Sequence, residues 1–474
     1  MEATIGLEIH VHLLTESKLF CRCSTRTDDK EPNENTCPIC MGYPGSKPMV
    51  NKRAIEHGVV ISEALNCEVL PEVVFSRKNY FYPDMPKNFQ ITQYEIPLGM
   101  KGFVELGEKK VGIRRVHIEE DPAKLIHVGG DITSSRYNLI DHNRAGMPLV
   151  EIVTEPDIED TKEAREFLEK LSLMLDHLGV YDPSGEGSIR VDANVSVEGG
   201  QRVEVKNITG FRNVEKALNY EVVRQRSMAR MGLDVGRETR HFEAESETTV
   251  SLRKKETEED YGYIIEPDLV KIRITSDWLE RLRDKMPELP DQRVQRFIEE
   301  YGISRLQSRI IVHSGLDLSN FYEKTSLLYN DPQIVANWVV TYLLKSLNYE
   351  GLSLKESKVE PSTFVELLEL IDEGVISERL AKELIKDYTV TGKSPRKIVE
   401  EKQLGIMPVD ELNDIVEDVM SDNPQAAQDY LYGTEKAVDY LIGQVLRRVR
   451  ARAKPNVVRK FIMEKLDSIE KLPR

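Results

Sequence analysis

The sequence predicts an α+β protein. An N-terminal mixed α/β cradle on a largely antiparallel sheet comes first, then an all-helical domain, then a small helical tail domain. Three observations carry this. Residues 1 to about 290 are dominated by alternating apolar and polar positions, at 4–12, 103–118, 137–140, 149–154, 188–197 and 202–206, the period of half-buried strands. Helical periodicity interrupts them at 52–66, 161–179 and 214–231. Composition then shifts at Pro287-Glu288-Leu289-Pro290. Beyond it helical patterns run through 291–301, 333–347, 362–372, 377–386, 408–421, 434–452 and 455–467, punctuated by Gly and Pro. The domains expected are 1–290, with a cysteine-paired insertion at 21–40, then 291–405 and 406–474.

With 474 residues, 40% of them hydrophobic and 31% charged, the chain has material for real cores and a length for two to four domains. No apolar run reaches the ~18 residues of a membrane span. The N-terminus carries Glu2 and Glu8 and lacks a basic-then-apolar signal, so no export is expected. Five cysteines do not make a disulfide scaffold in a chain this long, and a reducing cytoplasmic compartment fits better. The net charge of −16 argues against a general nucleic-acid binder. The far C-terminus differs: residues 447–474 hold ten Lys/Arg against three acids.

In the opening stretch, Ile5, Leu7, Ile9 and Val11 point one way, while Gly6, Glu8, His10 and His12 point the other. Like-facing neighbours on a strand are about 7 Å apart. A carboxylate and two imidazoles in such a row can wall a divalent cation and a phosphate. Taken alone, a half-buried strand with a solvated polar face accounts for these residues more simply.

Cys21-Arg-Cys23 and Cys37-Pro-Ile-Cys40 are two close pairs on short turns, the pattern of a tetrahedral Zn²⁺ site. The polar spacer 24–36 needs such a staple to hold its shape. No open coordination position is implied, so the zinc is expected to be structural. Cys67 is expected in an apolar helix, as a core residue.

The segment 76–91 is aromatic, basic and interrupted by Pro83 and Pro86, which forbid a helix. Rings beside Lys and Arg stack on nucleotides or grip phosphates, though a packed surface loop reads the same. Next, the strand through Val116-His117-Ile118 ends in Glu119-Glu120-Asp121-Pro122. Three adjacent carboxylates repel unless a cation or basic groups neutralise them, and Mg²⁺ prefers oxygen ligands. Asp141, Asn143 and Arg144 fall at a turn between strands, where a scaffold displays functional groups. Arg190, Asp192, Asn194 and Ser196 share one strand face, and Glu204-Val205-Lys206 repeats the pattern. Such faces are either the wet side of an antiparallel sheet or a surface for Mg²⁺-assisted phosphoryl transfer.

Gly6-Leu7-Glu8-Ile9-His10, the run from Lys78 to Asp84, the run from Asp141 to Leu149, and Asp192-Ala193-Asn194 together resemble the B subunits of aspartyl/glutamyl-tRNA amidotransferases. The likeness continues through Arg224-Gln225, Glu238-Thr239-Arg240, Glu266-Pro267-Asp268, Gly443-Gln444-Val445 and Lys454-Pro455-Asn456. It spans essentially the whole chain. There is no room for the large extra domain of the archaeal E subunit.

The resemblance implies a ligase that uses ATP and Mg²⁺ to phosphorylate the side-chain carboxylate of Asp-tRNA(Asn) or Glu-tRNA(Gln). Ammonia from a partner amidase A subunit then displaces phosphate. It implies a heterotrimer with a small C subunit, tRNA(Asn) or tRNA(Gln) as partner, and contact with the matching non-discriminating aminoacyl-tRNA synthetase. Carried over residue by residue, Glu8 and His10 match the metal-binding strand, and Glu120 the ligand of the acidic turn. Strand alternation instead puts Glu119 on the His117 face, so Glu119 stays open. Arg190, Asp192, Glu204 and Lys206 fit the nucleotide, phosphate and metal surroundings. Lys78 matches an inner tunnel lysine that excludes water or meets the acyl phosphate. Some family members lack the four cysteines, so the resemblance does not make zinc a requirement for catalysis.

In the tail, Val438, Leu441, Ile442, Val445, Leu446 and Val449 make an apolar helical stripe. Arg447, Arg448, Arg450, Arg452 and Lys454 stay available for phosphates, and the resemblance assigns them to tRNA. Two rivals remain. One is a non-catalytic tRNA-binding scaffold, which needs neither Glu8 nor His10. The other is a free-standing carboxylate–amine ligase, which needs no tRNA.

Overall fold

The computed structural model describes residues 2–27, 29–129, 135–185, 187–198, 200–253, 262–402, 404–405, 407, 409–431, 436–449 and 452–470. The chain divides into two compact units, Met1–Pro290 and Asp291–Arg474.

The first unit is built on a nine-stranded sheet. Its order is Thr248–Arg253, Glu238–Glu243, Val203–Thr209, Ile189–Val197, Ala3–His12, Pro148–Thr154, Lys109–Glu120, Gly99–Leu106 and Glu68–Val69. Only the pairing of Val203–Thr209 with Glu238–Glu243 is parallel. The opening strand sits at the centre. Its Ile5, Leu7, Ile9 and Val11 are buried in one core with Phe167 and Leu171 of the helix Thr161–His177, and with Val214 and Leu218 of the helix Phe211–Arg230. The helix Lys52–Ala64, capped by the Asn51 side chain, joins the same core. It approaches closely: a Cβ on Gly58 would lie 2.5 Å from Leu98 Cδ2 and 2.7 Å from Ile118 Cδ1.

Two local features aim the functional strand. The expected single strand 103–118 is in fact a hairpin, turned at Gly107, whose φ of +64° suits glycine. Alternation continues through the turn, so periodicity alone hid it. Further on, Val153 pairs with Arg115 and Thr154 with Ile113, leaving Arg114 as a bulge. The extra residue flips the parity. Val116 and Ile118 therefore face the core, as Val111 and Ile113 did, and Arg115, His117 and Glu119 face away from it. Cys67 is buried but lies past the end of its helix, where Asn66 adopts a φ of +55°.

A three-stranded sheet, Gly262–Ile265, Ser76–Asn79 and Phe89–Thr92, holds the aromatic, proline-broken segment. The second unit is helical and contains two apolar clusters. One includes Phe297, Tyr322, Phe364 and Tyr388, the other Val416, Leu441, Val445 and Ile462. The run expected as one helix over 333–347 is Pro332–Trp338 and Leu344–Glu350, joined by a π-helical turn at Val339–Leu343.

His57 is buried in the core helix, with Nε2 2.9 Å from the Leu14 carbonyl. Burial, helped by Arg53, pulls its pKa down to about 4. The unfolded chain therefore takes up this proton first as pH falls. Stability should drop between about pH 6.5 and 4 by up to about 3 kcal/mol, and flatten below. Urea titrations of the wild type and His57→Gln should diverge across that window, with the variant less acid-sensitive.

Candidate functional site

The polar face of the central strands is not wet. His117, Glu119, Glu151, Asp192, Asn194 and Glu204 are all buried there, and Glu8 and His10 are half-buried. Register explains the grouping. Glu8 lies across from Asp192, while His10 is flanked by Arg190 on one neighbour and Glu151 on the other. Glu151 in turn lies across from His117.

Two clusters result. In the first, two imidazoles and two carboxylates alternate around a square. His10 Nε2 is 3.6 Å from Glu119 and 3.4 Å from Glu151; His117 Nε2 is 3.7 Å from Glu119 and 3.2 Å from Glu151. Thr92 Oγ1 donates to Glu119 at 3.1 Å. Although burial opposes the charge, the two acids raise His10 to about 9 and raise His117 as well. Glu151 is likewise held well below the usual carboxylate range, against burial, by the imidazoles. The two rings and the two acids thus face one another around a space of a few ångströms.

The second cluster joins Glu8, Asp192 and Glu204. Lys206 Nζ lies 3.1 Å from Asp192 and 3.5 Å from Glu204. Asn194 Nδ2 donates to Glu8 at 2.9 Å, the Asn207 amide to Asp192 at 2.7 Å, and Thr239 Oγ1 to Glu204 at 3.3 Å. Burial, then repulsion from Glu151, Asp192 and Glu204, pushes Glu8 upward. In each of His10–Glu119–Glu151 and Glu8–Asp192–Glu204, one ligand atom per residue comes within 4.8 Å of the others. All-oxygen donors suit Mg²⁺ in the second set; one imidazole joins two carboxylates in the first.

The three consecutive acids part company. Glu119 enters the imidazole square. Glu120, expected as the ligand beside Glu8 and His10, instead pairs with the Lys87 ammonium and accepts from the Ile91 amide at 2.8 Å. It shares the Ile118 parity, so the strand turns it away from His10. Asp121 is enclosed by Arg190 at 2.7 Å, His12 at 2.8 Å and Arg144 at 3.2 Å. The Arg190 guanidinium, the hydrogen bond with His12 and the Arg144 guanidinium hold it below its ordinary range despite burial. His12, Arg144 and Arg190 also border a cavity of about 1280 Å³, lined besides by Arg26, Lys30 and Lys124.

The sulfurs of Cys21, Cys23, Cys37 and Cys40 also lie within 4.8 Å of one another, with Cys37 and Cys40 at 3.8 Å. Four 2.3 Å Zn–S bonds in a tetrahedron require sulfur separations of about 3.8 Å. The residues fit the metal.

Two family models cover most of the chain. One, described as the GatB/GatE catalytic domain, matches residues 3–280; the other, the GatB domain, matches 320–466. Relatives named as the B subunit of aspartyl/glutamyl-tRNA(Asn/Gln) amidotransferase align end to end. That of Methanospirillum hungatei is 46% identical, covering 98% of this chain and 99% of its own. That of Saccharolobus solfataricus is 42% identical with the same coverage, and that of Carboxydothermus hydrogenoformans is 42% identical over 98% of both. The chain belongs to the family of amidotransferase B subunits.

Against that family's resemblance, Glu8, Asp192, Glu204 and Lys206 come together, His10 and Glu119 meet one step along the sheet, and Arg190 is committed to Asp121. Lys78 lies on the small sheet across from Gln90 and Tyr263, with its ammonium 5.7 Å from the Tyr80 ring centre. In the tail, Arg447 is exposed, Arg448 pairs with Asp422 at 2.7 Å, and Arg452 Nε donates to the Gly405 carbonyl. The Lys454 ammonium lies 3.8 Å from where a Cβ on Gly374 would stand, and Arg450 falls outside the described residues. Sequence reasoning gave no role to Glu151 or His117, and named Asp121 only among three adjacent acids that a cation or basic groups must neutralise; His12, Arg144 and Arg190 are those groups. Glu151 left a signal: it is the one charge inside Leu149-Val150-Glu151-Ile152-Val153, a strand buried along its whole length.

Glu8 is crowded by Asp192 and Glu204, which share the Lys206 ammonium with it, and by Glu151 of the neighbouring cluster. Glu8→Gln keeps the acceptor for Asn194 and removes the repulsion, so the metal-free protein should gain about 1 kcal/mol. Denaturant midpoints measured in chelator should rise for this variant; an unchanged or lower midpoint contradicts the repulsion.

Proposed function

We propose that this chain activates the side-chain carboxylate of aspartate or glutamate esterified to tRNA(Asn) or tRNA(Gln). ATP with Mg²⁺ is the phosphoryl donor, and a partner amidase subunit supplies ammonia. The observation that carries the reading is the pair of enclosed acid clusters on neighbouring strands, in a family whose relatives are named for this amidation. Cytoplasmic location and a small third subunit belong to the same reading; among the described residues no helix is long and apolar enough to cross a membrane.

The carboxylate oxygen attacks the γ-phosphorus and the bond to the β–γ bridging oxygen breaks, leaving ADP and an acyl phosphate. The nitrogen lone pair of ammonia then adds to the acyl carbon, the C–O bond to phosphate breaks, and nitrogen loses a proton. Bound Mg²⁺ supplies charge neutralisation on the phosphates. Glu8, Asp192 and Glu204 hold one cation, and His10 with Glu119 and Glu151 a second donor set. Glu119 takes the role that the resemblance gives Glu120. Lys206 sets the charge of the acid cluster, and Arg190 and Arg144 make the cavity rim attractive to phosphate oxygens. Lys78 and the aromatic rings of its sheet limit water, which an acyl phosphate requires. Zinc at the four cysteines staples the insertion. Arg447, Arg448, Arg452 and Lys454, with Arg450, give the tail its affinity for a tRNA backbone.

The test is ATP cleavage and amide formation with mischarged tRNA, Mg²⁺ and an ammonium salt, adding partner subunits in turn. Aminoacyl-tRNA should stimulate ATP cleavage, and Glu119→Gln should lower it at least about 100-fold. Glu120→Gln should lose stability more than turnover. Normal amidation by Glu8→Ala or His10→Ala would turn the chain into a scaffold, and tRNA-independent turnover would make it a free-standing ligase. Replacing Arg447 and Arg448 by Ala should raise the KM for tRNA and flatten its salt dependence, with kcat for bound substrate little changed.

A further inference from the structure

Lys18 is fully buried, with 0% of its surface exposed. Among the described residues no carboxylate pairs with it. Its ammonium donates to the Asn35 carbonyl at 2.9 Å and stands 3.9 Å from Cys40 Sγ. A buried ammonium without a counter-charge is strongly unfavourable. Four thiolates around one divalent cation carry a net charge of −2, and that is the missing counter-charge.

Asn35 leads onward to the cavity. Its amide donates to Asn143 Oδ1 at 2.7 Å, and Asn143 Nδ2 donates to the Glu31 carbonyl at 2.8 Å. Asn33 grips the same turn three times: its amide to Asp141 Oδ1, its Nδ2 to the Ile140 carbonyl, and its Oδ1 from the His142 amide, at 3.0, 3.1 and 2.7 Å. This turn carries Arg144, which reaches Asp121 and the carbonyls of Pro122 and Ala123. The spacer between the two cysteine pairs is thus laid along the turn that borders the cavity.

We infer that Lys18 is the charge partner of a metal-loaded tetrathiolate and that, through Asn35 and Asn143, metal binding at the four cysteines positions the Arg144 turn at the cavity rim. The metal is then a remote positioning element, and its affinity and the order of the turn are linked in both directions. The relation concerns the chain's own residues and stands whether or not the cavity receives ATP.

The experiment uses the full chain, zinc-loaded and zinc-stripped. Hydrogen exchange of the 139–146 segment should quicken at least about 10-fold on stripping, along with the 24–40 insertion. Lys18→Met should release zinc to a coloured chelator at least about 10-fold faster. Its melting temperature should fall relative to the wild type when zinc is bound, yet equal or exceed it when zinc is absent, because the stripped protein no longer needs the charge. Asn143→Ala should quicken exchange in 139–146 with zinc bound, and speed zinc release. The inference is overturned if purified chain takes up no zinc, if stripping loosens 24–40 while 139–146 is unchanged, or if Lys18→Met lowers the melting temperature equally in both states. Should Lys18→Met fail to fold, the exchange comparison on wild-type chain decides alone.

Discussion

The register of the opening strand against its two neighbours governs the first unit. Pairing Glu8 with Asp192 and His10 with Glu151 sets which acids meet. A slip by one residue would turn Ile5, Leu7, Ile9 and Val11 out of the core and all the polar groups into it, so packing pins the register. The chemistry of the polar face is therefore held in place by the apolar face. No loop adjustment is needed to bring these carboxylates together.

That face is electrostatically loaded. Buried carboxylates and His117 meet the half-buried Glu8, His10 and Lys206, in surroundings where charges interact more strongly than at an open surface. The balance is local. His10 and His117 lie against Glu119 and Glu151, while Lys206 faces Glu8, Asp192 and Glu204, with His10 and Arg190 also acting on Asp192. The second cluster is left with surplus negative charge, the condition under which a divalent cation replaces repulsion with coordination. Perturbed groups in an enclosed cluster are a recognised mark of function, and ion-pair networks built for stability also show them. Here family membership and the surplus of acid favour function.

The outer parts of the unit act on the same face through backbone geometry. The Arg114 bulge resets parity so that His117 and Glu119 face His10. The small sheet brings Thr92 to Glu119, and Tyr263, stacked 3.9 Å from Tyr94, lies near enough to Glu119 and Glu151 for their charges to help raise its hydroxyl pKa beyond the effect of burial. The cysteine insertion grips the turn from Asp141 to Arg144. Each is a rigid attachment to the central strands, which suits a site that must exclude water.

The sequence by itself determined the class of fold, the two faces of the opening strand, the pairing of the cysteines and the family. These are legible because period-two alternation, close Cys spacing and long ordered motifs are local properties of the chain. Tertiary structure decided which of Glu119 and Glu120 joins His10, since the bulge that sets their parity shows only once the partner strand is in place. It also brought in Glu151, His117 and Asp121, gave Arg190 to Asp121 rather than to open space, and split the alternating run at Gly107. Apart from the Gly107 turn, those outcomes depend on residues far apart along the chain, and only packing and register bring such residues into contact.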